Sequence, residues 1–336
     1  MPGPHPAVAR VRSAVRSGLG SSDLPVLVAC SGGADSLALA AALAFEAPRA
    51  GVPAGAVTVD HGLQPGSAER AAATAEVLAR LGLAPVQVLR VQVGADCGPE
   101  GAARSARYAA LSRVAAEHDA RIALGHTLDD QAETVHLGLG RGSGPRSIAG
   151  MVEQRVDDGV TWWRPLLGIR RETTRTACAA LELPVWDDPW NTDPAYTRVR
   201  LRTEVLPLLE EVLGGGVAPA LARTAALLRD DLDALDTLAT GSAAYEAEEL
   251  PVAEIVELPL ALRTRVLRLW LRAGGVPDLQ AGHLGAVDAL VSRWRGQGRV
   301  DLPGGAGVVR TSGTLVLQPP GAGESAHPSS SEEPRP

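Results

Sequence analysis

The sequence predicts an α/β fold, with a Rossmann-like parallel sheet in a first domain and a smaller, mostly helical domain after it. Three observations support this fold class. Short apolar runs alternate with segments of helical periodicity in the first part of the chain, and polar residues follow the ends of several apolar runs. A run of glycines at 214–216 then precedes a part dominated by helical periodicity. Alternating strands and helices are typical of a parallel sheet covered by helices.

Four apolar runs are expected to form most of the sheet. In chain order, they are Leu24–Ala29, Gly55–Asp60, Val86–Val93 and Arg121–Gly125. The helices that follow them are predicted at Leu37–Ala47, Ser67–Leu81, residues 100–118, and from Leu128 onward. Right-handed crossovers bring the carboxyl ends of such strands to one edge of the sheet, which is where ligands bind.

The pattern is looser after Gly142. It predicts a strand and turn at Trp162–Leu167 and helices at Arg170–Leu181 and Arg198–Val212. Beyond the glycine run, helices are predicted at 218–238, 259–273 and 281–294, and short strands at 299–302, 307–310 and 314–317. We therefore expect a first domain of residues 1–213 and a second of 217–318. Residues 319–336, rich in Pro, Ser, Gly and Glu, are predicted to form a disordered tail.

The composition limits the chemistry that the chain can perform. All 32 basic residues are arginine, so no lysine is present to form a Schiff base or to clamp a phosphate. The net charge of −7 argues against unspecific coating of nucleic acid, although it says nothing of local basic faces. The cysteines (Cys30, Cys97 and Cys178) include no CxxC pair, which disfavours a disulfide framework, a zinc ribbon and a cysteine-ligated iron–sulfur cluster.

The sequence contains no long apolar span free of charges, and its start lacks the basic and apolar segments of a signal peptide. We therefore expect a soluble, cytoplasmic protein without a membrane partner. Homodimer formation stays open.

A glycine-rich hexapeptide lies between the first predicted strand and its helix. Its residues are Ser31, Gly32, Gly33, Ala34, Asp35 and Ser36. A strand, a glycine-rich turn and a helix start direct backbone N–H groups toward an anion, and the hydroxyls add donors. The carboxylate of Asp35 is a candidate ligand for Mg²⁺ beside phosphates. The loop lacks the Walker A and GxGxxG patterns, and an ordinary tight turn is the alternative interpretation.

Charged residues follow two other strands. Asp60 and His61 come after the second strand, and the fourth is followed by His126, Asp129, Asp130 and Glu133. Three carboxylates so close together repel one another without a cation, so they suit Mg²⁺ with a nucleotide, or an ammonium substrate. Helix capping from Thr127 is the alternative, but it explains only one or two of the acids. A zinc site is disfavoured because the His-Glu-x-x-His spacing is absent.

Arginines occur in groups. Glu100, Arg104 and Arg107 fall on one side of a predicted helix, where the arginines can clamp a phosphate or carboxylate, or form an ordinary salt bridge with the glutamate. Further groups are Arg164, Arg170, Arg171 and Arg175, then Arg198, Arg200 and Arg202, then Arg263, Arg265, Arg268 and Arg272, and finally Arg293, Arg295 and Arg299 with Trp294 among them. Each group alone is typical of a solvated face, but together they slightly favour a large anionic partner.

These residues together resemble the tRNA(Ile)-lysidine synthases, a family of PP-loop ATP pyrophosphatases. The resemblance covers about residues 24–212 in family order, and the second domain matches more loosely. The residues that carry it are Ser31–Ser36, Val59–Leu63, Glu100 with Arg104 and Arg107, Leu124–Thr134, Arg141–Gly144, Arg164–Leu167, Asp188–Pro189 with Asn191, and Arg198–Arg202. One departure is Thr197–Arg200, where the family usually carries an asparagine-bearing motif, and this puts its tRNA contact in doubt.

The resemblance implies an activity with ATP, Mg²⁺, free L-lysine and tRNA(Ile) with a CAU anticodon. The C2 oxygen of the wobble cytidine is adenylated with release of pyrophosphate, and the lysine amine then displaces AMP to give lysidine. It implies that Ser31–Ser36, with Asp60 and His61, bind ATP. It assigns metal and lysine recognition to His126, Asp129, Asp130 and Glu133, with Asp35 and Asp130 the metal ligands.

Arg104 and Arg107 are assigned the adenylate or the lysine carboxylate, and the arginines at 170, 171, 198, 200 and 202 are weaker candidates for tRNA contact. A PP-loop tRNA thiolase or another adenylating tRNA-modifying enzyme is the nearest alternative, but thiolases generally use a cysteine pair. A nucleotide-binding regulatory module does not require the acids at 129–133, and an amidotransferase synthetase lacks an evident glutaminase segment here.

Overall fold

The computed structural model describes residues 3–20, 23–62, 64–91, 99–142 and 144–321, which divide into two compact units. The first unit takes the chain up to Arg141 together with Ser147–Ala225, and the second takes residues 142–146 and the chain from Ala226 onward. The division falls inside the long helix Val217–Thr240, whereas the glycine run 214–216 lies just before that helix. The assignment of residues 1–213 and 217–318 to separate functions stays a prediction.

The first unit contains a six-stranded sheet. Its strands in chain order are β1 (Val26–Ala29), β2 (Ala54–Asp60), β3 (Val86–Arg90), β4 (Arg121–Leu124), β5 (Gln154–Asp157) and β6 (Val160–Trp163). They lie in the order β3-β2-β1-β4-β6-β5, and only the edge strand β5 runs antiparallel to its neighbour. The predicted parallel α/β sheet is therefore confirmed, and β1 at its centre is apolar throughout because both faces are covered.

Helices surround this sheet. They are α1 (Pro6–Leu19), α2 (Ala34–Glu46), α3 (Ser67–Arg80), α4 (Pro99–Glu117), α5 (Leu128–Arg141), α7 (Arg171–Ala180), α8 (Thr197–Arg200) and α9 (Leu206–Val212), with a short α6 (Pro145–Ile148) whose first residues belong to the second unit. Leu37, Leu39 and Leu43 of α2 are almost completely buried, in a core of Ala, Leu and Val side chains that also includes strand β1. A packed core of this kind fixes the loops at the carboxyl ends of the strands.

The second unit is mostly helical, as predicted. It contains the end of α10 (Val217–Thr240), α11 (Val252–Ile255), α12 (Leu260–Ala273) and α13 (Ala281–Ser292), with strands β7 (Glu249–Pro251), β8 (Val300–Asp301), β9 (Gly307–Thr311) and β10 (Thr314–Gln318). These strands form a small antiparallel sheet in the order β7-β10-β9-β8. Trp270 and Val287 lie in the core that joins the sheet to α12 and α13.

Some elements differ from the sequence-based expectations. Strands β5 and β7 and helices α6 and α11 were not predicted, because each is only three or four residues long and carries no readable period. The predicted helix Arg198–Val212 contains a turn of π-helix at Leu201–Val205 between α8 and α9. Among the residues named in the predictions, Leu63, Val93, Cys97 and Ser143 lie outside the described residues, as does most of the expected tail.

In the described part of the chain, no single helix is long and apolar enough to cross a membrane. The segments Thr197–Val212 and Val217–Thr240 together have the length and apolar composition of a membrane span, but they are bent by 94° at the break between them.

Candidate active site

The hexapeptide Ser31–Ser36 forms the turn between β1 and α2. Gly33 precedes the first residue of α2 and has an extended backbone, and no side chain caps the first N–H groups of the helix. The Ser36 hydroxyl donates to the Gly33 carbonyl oxygen at 2.9 Å and accepts from the Ser31 amide nitrogen at 3.2 Å. Ser36 therefore holds the shape of the loop from inside, and the uncapped N–H groups of α2 stay available to an anion.

Two glycines allow other segments to approach this loop. Gly32 has a φ of +84°, and a Cβ there would lie 2.9 Å from the Thr74 hydroxyl oxygen. Gly125, which follows β4, lies so close to the loop that a Cβ would meet the Asp35 carbonyl carbon at 3.0 Å. Because neither position has room for a side chain, α3 and the end of β4 pack directly against the loop.

Asp35, in the first turn of α2, is held by two partners from α7. Its carboxylate accepts a hydrogen bond from the Thr174 hydroxyl and lies 3.4 Å from Arg171 Nε. Burial raises the pKa of Asp35, while these two partners oppose the rise. The carboxylate at the phosphate-binding turn is therefore oriented by α7 across a large separation in sequence.

The acids that follow β4 lie among arginines. We call this group the paired acid cluster; its acids are Asp35, Asp129, Asp130 and Glu133, and its arginines are Arg170, Arg171, Arg198 and Arg202. Arg171 lies at its centre, with Nη2 at 2.6 Å from Asp130 Oδ1 and Nη1 at 3.2 Å from Glu133 Oε1. The Arg171 amide also donates to Asp129 Oδ2 at 2.8 Å. One arginine thus connects the loop carboxylate with the acids of α5.

Glu133 is completely buried and is contacted by three arginines. Besides Arg171, Arg202 Nε lies 2.8 Å from Oε1, and Arg198 Nη1 lies 3.8 Å from Oε2. Arg170 Nη2 lies 3.1 Å from Asp129 Oδ1 at the more exposed edge of the cluster. The repulsion among the acids that the sequence implies is therefore relieved by arginines of this chain itself.

Asp130 combines capping with ion pairing. Its Oδ2 accepts from the Thr127 amide nitrogen at 2.7 Å and from the Thr127 hydroxyl at 2.8 Å, while Oδ1 contacts Arg171. Burial alone raises the pKa of Asp130, but the charge of Arg171 and the bonds from Thr127 bring the pKa below its usual value. The capping interpretation and the charge-cluster interpretation thus both apply to this residue.

These contacts place most of the arginines that were predicted to contact tRNA against carboxylates of the chain itself. Arg171 and Arg202 were predicted as candidates for tRNA contact, but they lie against buried Glu133 because three carboxylates there need counter-charges. Arg170 and Arg198 remain partly exposed while contacting the acids. Arg200 lies apart on an exposed face and pairs with Glu204.

Arg104, Arg107 and Arg164 form a second group, which we call the arginine cluster. It surrounds Tyr108: the guanidinium carbons of Arg104 and Arg107 lie 4.8 Å and 5.8 Å from the ring centroid. Arg104 Nη2 lies 3.3 Å from the phenol oxygen, and the ring itself packs on Trp162 at 4.7 Å. The side chain of Glu100, expected beside these arginines, lies outside the described part of the structure.

His126 lies between the two groups. Burial lowers the pKa of His126 to about 4, and the positive charges of the arginine cluster oppose the attraction of Asp130. Burial also lowers the pKa of His61, with Arg107 nearby. The Nδ1 atoms of both imidazoles are buried and have no hydrogen-bond partner among the described residues. Both histidines are therefore neutral near pH 7 and keep polar atoms available to a ligand.

Asp60, at the end of β2, shapes its own loop. Its Oδ1 accepts from the Gly62 amide nitrogen at 2.9 Å, and bonding from the Ser67 hydroxyl lowers the pKa of Asp60. Cys30, at the end of β1, is buried and lies 3.5 Å from the Ser36 hydroxyl oxygen. Burial raises the pKa of the Cys30 thiol, which favours its interpretation as a structural residue rather than a nucleophile.

No group of three or more His, Cys, Asp or Glu side chains in the described ranges is arranged to hold a metal ion by itself. Asp35 and Asp130 nevertheless approach one cationic group, Arg171, from two sides. Two carboxylates are enough for Mg²⁺ when substrate phosphates supply further ligands. The donors at this position therefore fit the ion in kind, and Arg171 provides the positive charge between them in this structure.

Comparison with known proteins assigns the chain to a family. A PP-loop domain matches residues 7–209, and a TilS substrate binding domain matches residues 250–316. A tRNA(Ile)-lysidine synthase of Streptomyces coelicolor is 51% identical over 94% of this chain and 99% of its own length. The enzyme of that name from Leifsonia xyli is 55% identical over 88% of this chain and 90% of its own length.

This chain belongs to the tRNA(Ile)-lysidine synthase family. Among solved structures, the U34-tRNA thiolase NcsA from Methanococcus maripaludis, with its [4Fe-4S] cluster, aligns with a TM-score of 0.54 at 21% identity. The alignment covers 66% of this chain and 80% of that chain, and it shows a shared fold.

Several residues of this tRNA(Ile)-lysidine synthase family member contact the site without having been assigned to it from sequence. Thr127 and Thr174 orient Asp130 and Asp35, and Tyr108 and Arg164 complete the arginine cluster. Thr127 was considered only as a helix cap, and Arg164 only as a member of a basic run. The position of Arg164 directly after an apolar strand was the available signal, because strand ends meet at the ligand edge of such sheets.

Proposed function

We propose that this protein uses ATP to ligate L-lysine to C2 of the wobble cytidine of tRNA(Ile) with a CAU anticodon. The products are lysidine, AMP and pyrophosphate. The observation that carries the proposal is the identity of 51–55% to enzymes named for this reaction, over most of the chain. The phosphate-binding turn connected to the acids of α5 through Arg171 supports the proposal independently.

ATP is proposed to bind with its phosphates at Ser31–Ser36. The uncapped N–H groups at the start of α2 and the Ser31 hydroxyl donate to phosphate oxygens, and the neighbouring loop of Asp60 and His61 completes this side of the site. An oxyanion that attacks the α-phosphate develops negative charge, which fixed donors stabilise without reorganisation. Mg²⁺ is proposed to be held by Asp35 and Asp130, where it would neutralise phosphate charge.

Free L-lysine carries two ammonium groups and one carboxylate. The paired acid cluster supplies carboxylates for an ammonium group, and Asp129 is its more exposed member beside Glu133 and Asp130. The neutral imidazole of His126 is able to accept a proton or donate a hydrogen bond, because its pKa of about 4 keeps it uncharged. When an ammonium group of lysine takes the place of an arginine beside these carboxylates, the buried negative charges stay neutralised.

The tRNA is proposed to contact both units. Among the arginines predicted to contact tRNA, Arg170, Arg198 and Arg200 keep exposed surface in the first unit. In the matched substrate binding domain, exposed Trp294 lies beside Arg310, whose guanidinium carbon is 5.2 Å from the ring centroid. Aromatic rings and arginines together are typical of surfaces that bind RNA. A cytoplasmic location and homodimer formation stay predictions.

The test is incubation of the purified protein with ATP, radiolabelled L-lysine and a transcript of tRNA(Ile) with a CAU anticodon. Label is expected to enter the tRNA only when ATP is present, with one AMP formed per lysine. Asp35→Asn is expected to reduce this incorporation at least tenfold, because it removes the carboxylate at the phosphate turn. Arg80→Met serves as the matched control, since Arg80 forms an exposed pair with Glu76 at the end of α3.

Failure of lysine to enter tRNA, with the protein folded and ATP present, would contradict the proposal. Sulfur incorporation into tRNA from a supplied persulfide donor would instead indicate the thiolase alternative. Cys30 and Cys178 are both buried, which argues against either of them as a sulfur carrier, because that role needs an accessible thiolate.

A further inference from the structure

Two aromatic side chains lie together on the loop between α7 and α8. The ring centroids of Trp190 and Tyr196 are 6.2 Å apart, and the rings are tilted by 35°. Trp190 is 39% exposed and Tyr196 is half-buried. We call these two residues the aromatic pair. An indole that faces solvent keeps a large apolar surface in water, and this surface is open to a ligand.

Aromatic residues are scarce in this chain, and most of the others are covered. The sequence has six tryptophans, three tyrosines and one phenylalanine. Three of the tryptophans are almost completely buried, namely Trp162, Trp163 and Trp270. Arginines stack on the rings of Trp186 and Trp294. In the described part of the chain no cation stacks on either ring of the aromatic pair, so the pair retains a surface for a planar group.

The loop that carries the aromatic pair is attached to the phosphate-binding turn at its start. The Trp186 amide nitrogen donates to the Gly32 carbonyl oxygen at 3.0 Å. The Gln64 side chain, from the loop after β2, donates to Asp188 Oδ1 at 3.1 Å. The same carboxylate oxygen accepts from the Trp190 amide nitrogen at 3.0 Å. The backbone of Trp190 is therefore positioned by contacts with the loops after β1 and β2.

The other end of this loop leads into the paired acid cluster. Tyr196 directly precedes α8, and its carbonyl oxygen accepts from the amide nitrogens of Val199 and Arg200 at 3.0 Å and 3.2 Å. Arg198 of the same helix lies 3.8 Å from the buried Glu133 carboxylate and remains partly exposed. The loop is thus attached to both sides of the candidate active site, and two arginines with exposed surface follow the aromatic pair in the chain.

The acids of the loop are engaged within the protein. Asp187 pairs with Arg175, and Asp193 Oδ1 accepts from the Ala195 amide nitrogen at 2.9 Å. Carboxylates beside the rings disfavour a phosphate group at this place. Stacking of a base on an aromatic ring needs no phosphate contact, because every base has a flat π-face. The loop therefore suits bases, whereas the arginines of α8 suit the phosphates of the same strand.

We propose that the aromatic pair is a stacking platform for an unpaired base of the tRNA, beside the cytidine that is modified. Bases in single-stranded loops of RNA are splayed out and stacked on aromatic side chains by proteins that recognise them. The base belongs to the anticodon loop, because the platform is attached to the candidate active site at both ends. A protein partner would also cover the pair, but the neighbouring arginines favour a polyanion. This inference rests on the proposed function.

The experiment measures binding of the whole protein to a transcript of tRNA(Ile) with a CAU anticodon, by filter retention. Trp190→Ala is expected to weaken binding about tenfold, because a stacked base loses its ring, and Trp190→Phe is expected to retain most of the affinity. The dependence of the dissociation constant on salt concentration is expected to stay unchanged, since no phosphate contact is removed. Val156→Ala is the control, because Val156 is an exposed apolar residue on β5.

Transcripts that lack single bases identify the stacked nucleotide. Each nucleotide of the anticodon loop is replaced in turn by an abasic residue. At the stacked position, this replacement is expected to weaken binding by the wild type about tenfold and to leave binding by Trp190→Ala unaffected. A ring that only supports the fold of its own loop does not produce such coupling. Tyr196→Leu provides a second test if Trp190→Ala does not fold.

Equal losses in wild type and Trp190→Ala at every abasic position would overturn the inference, as would wild-type affinity in folded Trp190→Ala and Tyr196→Leu. Loss of a dimer in these variants with unchanged tRNA binding would also overturn it, in favour of contact with a second copy of the chain. Lysine transfer to the transcript by the wild type is measured in parallel. If that transfer fails while the transcript binds, the proposed function is contradicted, whereas the abasic transcripts still test the platform.

Discussion

The paired acid cluster and the arginine cluster lie in the same unit and meet at His126, but their charges are balanced differently. In the first, Glu133 is fully buried and is contacted by Arg171, Arg198 and Arg202. In the second, Arg164 is nearly as well buried and donates to the Val152 carbonyl oxygen, with Tyr108 beside it, and none of the described carboxylates forms an ion pair with it. The difference indicates that the acids are neutralised by arginines of this chain, whereas Tyr108 is the neighbour that favours the charged form of Arg107 and Arg164.

This comparison has an energetic consequence. Removing one partner of a buried ion pair leaves the other partner as an uncompensated buried charge. Removing a charge that has no partner leaves no such charge. Residues of the paired acid cluster should therefore matter strongly for stability. Residues of the arginine cluster should matter for ligand binding and much less for the stability of the free protein.

The largest expected effect is that of Glu133→Gln. The change keeps the shape of the side chain but leaves three arginines without their shared buried carboxylate, so we expect the free energy of unfolding to fall by about 3–5 kcal/mol. Arg164→Met is expected to change it by less than about 1 kcal/mol. Urea unfolding, followed by tryptophan fluorescence at pH 7.5, measures both values.

Equal destabilisation by the two substitutions would contradict the distinction between the clusters. Arg200→Met is the control, because Arg200 and Glu204 form an exposed pair that contributes little. The free energy of unfolding of Arg200→Met is expected to equal the wild-type value within experimental error, because solvent screens an exposed pair.

A smaller effect is expected in the dependence of stability on pH. The pKa of His126 is about 4 in the folded protein, below the usual value of 6.5, so the unfolded chain binds more protons between these values. The stabilising contribution of the neutral imidazole is fully present above about pH 6.5 and is lost as the pH falls toward 4. His126→Gln is expected to flatten this part of the stability profile, measured by urea unfolding between pH 4 and 7.5. An unchanged slope would show that His126 does not titrate in this way.

Much of the fold was predictable because the sequence repeats one simple pattern. The strands β1 to β4 and the helices after them follow from apolar runs and helical periodicity, and parallel winding then brings Ser31, His61 and His126 to one edge. The short strand β5 and the π-helical turn at Leu201–Val205 were not predictable, because they depend on packing rather than on local pattern.

Most residues of the site could be identified from the sequence, but the ion pairs between them could not. The acids at 129–133 and the arginines at 170–171 were identified as separate groups with separate partners, since sequence spacing reports only contacts within one helix. The contacts of Arg171 with Asp35, Asp130 and Glu133 join α7 to α2 and α5, and only the tertiary structure contains them. The proximity of Arg164 to His126 was not predicted for the same reason.

The smallest effect is expected for Tyr108→Phe, which tests how Tyr108 positions the arginines of the arginine cluster without changing their charge. Tyr108→Phe removes the phenol oxygen that accepts from Arg104 Nη2 at 3.3 Å, but keeps the ring that packs on Trp162. We expect a loss of about 0.5–1 kcal/mol in ligand binding, because the hydrogen bonds of the phenol with Arg104 and Arg164 are removed while all three cations remain. This appears as a two- to fivefold higher KM for the substrate that contacts the arginine cluster, with little change in kcat. Tyr245→Phe, in the second unit, is the matched control. If kcat falls by a larger factor than KM rises, Tyr108 takes part in the chemical step. The role of Tyr108 would then not be limited to positioning the arginines.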